Sequence, residues 1–169
     1  MKKLFKISTL ILILLCAVQV NAQKKFGHIN SDSLLKIMPG RDSAIATIQT
    51  EAEVYQKLLT TMNTEYETKA TEYQTNYNTM SELIRQTKLA ELQDLQTRIE
   101  KFQASASDSL QAKQTELLQP IIDTAKKAIE DVAKENGYTY IFDSALGMIL
   151  YSTEVDDIMP LVKKKIGIK

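Results

Sequence analysis

Cysteine, tryptophan and histidine are almost missing from this chain of 169 residues: Cys16 and His28 stand alone and tryptophan is absent. Because Cys16 lies in an apolar leader, the rest of the chain can form neither a disulfide nor a thiolate metal site, and its stability must come from packing. A single histidine has no second imidazole to share a metal with, so His28 reads as a packed or edge residue of a strand. Net charge of one sign is also lacking, with 21 basic and 21 acidic residues, which excludes a general nucleic-acid binder. No phosphate loop, metal motif or activated nucleophile is present. Asp156 and Asp157 resemble a catalytic pair on paper, but neighbours at a helix start point apart and serve the helix dipole. The chain is therefore read as a binding protein, not an enzyme, with no cofactor, no metal and no catalytic residue.

Glycine and proline are absent from Arg41 to Gln119. Within that stretch Ile45, Ile48, Ala52, Tyr55, Leu59, Met62 and Tyr66 fall at alternating spacings of three and four, the seam of a coiled coil. The seam weakens at Lys69 and Asn76 and recovers at Tyr73 and Met80. An unbroken helix would run about 120 Å, so a return is expected in the polar cluster Thr75, Asn76, Asn78, Thr79 and Ser81. Ser81 is the expected cap of a second helix, with Leu83, Ile84, Leu92, Leu95, Ile99, Phe102 and Ala106 on one face. Pro120 should kink or restart that helix, and Asn136-Gly137 should end it.

The ends read differently. Met1 to Ala22 has Lys2, Lys3 and Lys6, an apolar run around Leu10 to Val18, and Val20-Asn21-Ala22 before Gln23, the pattern of a cleaved secretory leader. The run is short for a membrane anchor, and Leu15 before Cys16 disfavours a lipoprotein. Removing the leader's three lysines leaves 18 basic against 21 acidic residues, a net −3. A strand is expected over 25–30, and Ser31-Asp32-Ser33 offers a cap for a short helix that ends at Pro39-Gly40. After Gly137 the period changes to two, predicting a hairpin of strands 139–143 and 147–151. Ser152 or Thr153 should then cap a closing helix with Lys163 to Lys165 in its last turn.

A leader, a short strand, a glycine-free helical hairpin, and then NGYTYIFD followed by GMILYSTEVDDIMPLVKKK make a combination that resembles the Skp/OmpH family of periplasmic chaperones across the whole mature chain. The resemblance implies a mainly α fold with a small β body: a long antiparallel coiled-coil hairpin, or arm, on a short-stranded trimerisation body, three copies forming a jellyfish-like cage. Residues 1–22 would be the cleaved signal peptide, 23–40 and 120–169 the body, and 41–119 the arm with its tip near 75–82. It further implies a soluble periplasmic protein that holds unfolded outer-membrane β-barrel proteins without ATP and works beside the β-barrel insertion machinery. Well-known members are strongly basic whereas this mature chain is slightly acidic, so electrostatic capture and membrane-surface contact are not carried over. Client contact is expected at Tyr73, Tyr77, Met80, Leu83 and Ile84, where the seam is interrupted. Oligomerisation is expected at Ile29, Tyr140, Phe142, Met148 and Leu150 in the strands. A non-enzymatic envelope adaptor with one defined partner is the competing function.

Overall fold

The structure, a computed structural model, describes residues 24–168. The expected leader, 1–22, lies outside them. Helix dominates: β1 (Lys25–Ile29), α1 (Ser31–Lys36), α2 (Arg41–Asn76), α3 (Glu82–Asn136), β2 (Tyr138–Asp143) and α4 (Met159–Ile166), with 3-10 turns at Tyr77–Thr79 and Glu154–Asp156. The described chain divides into two compact units, one of residues 35–124 and one of residues 24–34 with 125–168.

The first unit is the helical hairpin. α2 is 36 residues long, about 54 Å at the α-helical rise. Its expected seam positions lie buried or half-buried from Ile45 through Tyr66, with Ile48 deepest among them. On the returning stretch of α3 the buried residues are Leu92, Leu95 and Ala106. Tyr55 and Phe102 meet edge to face across the two helices with ring centroids 6.1 Å apart. The turn closes as the sequence suggests at its second end: the Ser81 hydroxyl accepts from the Ile84 N–H at 3.4 Å, and the Arg85 N–H donates to the Ser81 carbonyl.

Of the kink or restart expected at Pro120, the restart is absent: helix α3 runs through it as one element. One local expectation fails in this unit. Leu83 and Ile84 do not share the face of Leu92 and Leu95. Counting back in threes and fours from Leu92 reaches Lys88 and Arg85, and these are the half-buried positions.

The second unit is built on a parallel pair. β1 and β2 align Phe26 with Tyr140, Gly27 with Ile141, His28 with Phe142 and Ile29 with Asp143. On its other edge β1 bridges Asp157, and the Ile158 N–H donates to the His28 carbonyl at 3.0 Å. Gly27 and Ile29 turn inward, and this unit's buried residues include Leu34, Ala125, Ala128, Val132, Ile158 and Val162. Gly27 has no side chain for a packing reason: a Cβ there would stand 2.9 Å from Tyr138 Cε1 and 3.0 Å from Ile158 Cγ2. Gly137, at φ 70°, ends α3 as expected by taking the left-handed conformation that a side chain resists.

The expected hairpin of 139–143 with 147–151 does not form. β2 pairs in parallel with β1, and a tight turn follows Asp143. In that turn the Ala145 N–H donates to Asp143 Oδ1 and the Gly147 N–H to the Ser144 carbonyl. Residues 147–151 are irregular, and no backbone hydrogen bond joins 148–152 to β2 among the described residues. Neither cap expected in this unit, from Ser31-Asp32-Ser33 or from Ser152 or Thr153, forms as read. Asn30 caps α1, accepting from the Ser33 N–H at 2.8 Å, because Ser31 gives both its N–H and its hydroxyl to Asp143. The closing helix begins after Ile158 with Pro160 in its first turn, while the Thr153 hydroxyl bonds Asp156 in the preceding 3-10 turn.

Candidate functional site

Two surfaces carry the residues singled out in the sequence, one in each unit. At the hairpin turn, Tyr73 and Tyr77 stand on adjacent turns of helix and meet edge to face at 5.7 Å. The Arg85 guanidinium lies over the Tyr77 ring at 5.0 Å and pairs with Glu82 at 2.9 Å. Tyr73 and Met80 are half-buried, and Tyr77 keeps 45% of its surface. Leu83 and Ile84 are 74% and 48% exposed, since both fall off the seam in the first turn of α3. The five candidate client contacts thus separate into a Tyr73–Tyr77 aromatic pair, a half-buried Met80 and an outward aliphatic pair.

Sequence reasoning missed other exposed apolar residues on the hairpin. Val54 and Leu58 on α2 are 58% and 45% exposed, and Leu89 on α3 is exposed too. The signal was present: none of the three fits the heptad seam, so each had to point elsewhere.

In the second unit the outward face of the sheet is aromatic. Alternation along the two strands places Phe26, His28, Tyr140 and Phe142 on one side, opposite the buried Gly27 and Ile29. Phe26 stacks on Tyr140 at 5.9 Å and lies 6.2 Å from Phe142. Tyr140 and Phe142 remain about half exposed, and in the following segment Met148 and Leu150 are 76% and 96% exposed. Ile29 is 2% exposed within its own unit, so it is the one oligomerisation candidate with no outward surface. Ile149, Tyr151, Ser152 and Asp156 line a shallow cleft with Phe26, His28 and Phe142. His28 Nε2 is buried there without a hydrogen-bond partner among the described residues.

The electrostatics of both surfaces are structural in kind. Asp143 accepts from the Ser31 hydroxyl, the Ser31 N–H and the Ala145 N–H, and the Ser31 hydroxyl chiefly holds its carboxyl below the ordinary carboxylate value. The Tyr55 phenol donates to Glu51 at 2.7 Å, and that bond raises its pKa above the usual value. Lys25 lies 4.1 Å above the Tyr138 ring while its ammonium donates to the Asn136 carbonyl, closing the end of α3. Among the described residues no group of three or more metal-ligating side chains gathers, and no helix is long and apolar enough to cross a membrane.

The comparisons with known proteins point one way. A family profile described as outer membrane protein (OmpH-like) matches residues 25–166. Among solved structures, a proposed OmpH-like outer membrane chaperone from Caulobacter crescentus CB15 superposes with a TM-score of 0.70, covering 86% of this chain and 85% of that one. At 14% identity, that likeness speaks for the fold alone. No curated protein matches.

Proposed function

We propose, because this chain belongs to the OmpH-like family, that it is an ATP-independent holding chaperone for unfolded outer-membrane β-barrel proteins. After loss of residues 1–22 it would act in the periplasm, delivering clients toward the insertion machinery. The single observation that carries this reading is the pair Leu83 and Ile84, 74% and 48% exposed at the turn of a hairpin whose seam residues are otherwise packed. Aliphatic surface left open on a stable helix is available to any unfolded chain, and Met80 beside it adapts to irregular partners. Many such weak contacts retain a client without preventing its release to a better-folded state.

The working form is a homotrimer. Support comes from the aromatic face of the two-stranded sheet: Phe26, Tyr140 and Phe142 would not remain half exposed at no cost, and a pair of short strands is marginal alone. Residues 23–40 and 120–169 would form the joined body and 41–119 the arms, with the client held between them.

Light scattering tests this. A urea-unfolded outer-membrane β-barrel protein is diluted into buffer containing the exported chain and no nucleotide. Suppressed aggregation that saturates near one trimer per client is the expected result. A stable oligomer that leaves aggregation unchanged would instead favour an envelope adaptor with one partner.

A further inference from the structure

The flank of α2, roughly a third of a turn from its seam, exposes a line of residues that the heptad leaves unused. At 100° per residue Val54, Leu58, Thr61, Glu65, Thr68 and Glu72 fall within a narrow stripe. From Val54 to Glu72 it extends about 27 Å at the helical rise. All six residues are exposed, and all lie in the hairpin unit.

The chemistry of the stripe is one-sided. The hydroxyls of Thr61 and Thr68 donate to the carbonyls four residues earlier, at 3.0 and 2.8 Å, as does that of Thr50 just before Val54. Each threonine hydrogen is consumed inside the helix, so what faces outward is a methyl group and an oxygen lone pair. With the carboxylates of Glu65 and Glu72, the stripe offers apolar area and acceptors but no donor of its own. Lys57 flanks it and Lys69 reaches Glu65 at 3.9 Å, so the field is not purely negative. The balance along α2 nevertheless is: Arg41, Lys57 and Lys69 face Asp42, Glu51, Glu53, Glu65, Glu67 and Glu72, a net −3. The returning stretch 82–124 adds five cations and seven acids, so it does not reverse the sign.

A partner that complements such a surface must bring apolar side chains together with hydrogen-bond donors and positive charge. We propose that the α2 stripe is a docking surface for unstructured polypeptide segments in which lysine or arginine is interleaved with apolar residues. Acidic segments of equal hydrophobicity are disfavoured there, because each carboxylate would meet acceptors and negative field. This deepens the holding function proposed above and rests on it: the arms sort client segments by charge as well as by apolar content.

The test uses the exported full chain and two fluorescent unstructured peptides of identical length and apolar content, one rich in lysine and one rich in glutamate. Binding is read by anisotropy at low and high salt, with holding of an unfolded β-barrel protein measured on the same preparation. The lysine-rich peptide should bind about tenfold more tightly in low salt, and the difference should shrink to about twofold or less at half-molar salt. Combined Glu65→Gln and Glu72→Gln changes should cut the low-salt preference at least in half without lowering helicity. Combined Val54→Ser and Leu58→Ser changes should weaken both peptides alike. Equal binding of the two peptides, or preference for the glutamate-rich one, overturns the charge sorting while β-barrel holding still stands. Failure to hold either peptide or the β-barrel protein overturns both.

Discussion

Replacing Leu83 and Ile84 together by serine should weaken client holding about tenfold while costing less stability than a single substitution in the seam. Fully burying a leucine or isoleucine side chain is worth about 1.5–3 kcal/mol. With 74% and 48% of these two still exposed, the pair has about 2–3 kcal/mol left to gain on contact with a client. Ordering a flexible client against them offsets part of that, leaving about 1–2 kcal/mol, or about a factor of ten in Kd. Folding stability should fall by about 1–2 kcal/mol, mostly from Ile84, about half of which is packed in the free protein while Leu83 is largely open. The assay pairs a fluorescence titration with an unfolded β-barrel protein and a urea melt followed by circular dichroism. Leu95→Ser is the matched contrast: at 3% exposure it lies in the seam and should cost about 3 kcal/mol or more of stability. An unchanged Kd for the double variant, or a loss of stability matching that of Leu95→Ser, would refute the division between seam and open surface.

In the other unit, Gly27→Ala should destabilise by about 1–3 kcal/mol in a denaturant melt, since the new methyl meets the Tyr138 ring and the fully buried Ile158. Asp143 supplies a pH dependence. Its folded pKa lies below the ordinary value, so its contribution is present at neutral pH and is lost as pH falls through the carboxylate range toward the folded value. Thermal melts from pH about 6 to about 2 should therefore show a shallower acid decline for Asp143→Asn than for the parent, from a lower starting Tm. Combined Tyr140→Ser and Phe142→Ser changes should shift the particle mass in sedimentation toward the single chain, with helical dichroism retained, because both side chains are about half exposed in the isolated chain.

What could be read from the sequence was what neighbours in the sequence decide. The seam of α2, the Ser81 cap and the stop at Gly137 depend on residues within a turn or two of one another, and each stands where spacing and residue type put it. Contacts made over long stretches of chain were not legible. Ser31 looked like a cap, but Asp143, 112 positions away, takes its hydroxyl and leaves the role to Asn30. Residues 147–151 looked like a strand, yet among the described residues β2 pairs with β1, more than a hundred residues earlier, and not with its own following segment. Leu150, expected in that strand, is 96% exposed in this single chain. Among the client candidates, interruption of the heptad located the turn and pointed to Leu83 and Ile84 as open apolar residues, but could not decide that Tyr73 and Met80 are half-buried while Tyr77 stays exposed.

Site-specific photo-crosslinking places the held client directly. A photoreactive residue is introduced in turn at position 83, at position 95 and at position 128, and each protein is irradiated after capturing an unfolded outer-membrane β-barrel protein. Strong client adducts from position 83, with none from the seam at 95 or the buried face at 128, are what a holding chaperone with open arm surfaces predicts. Adducts absent at 83 while the client is demonstrably held, or absent everywhere because nothing is captured, would contradict it.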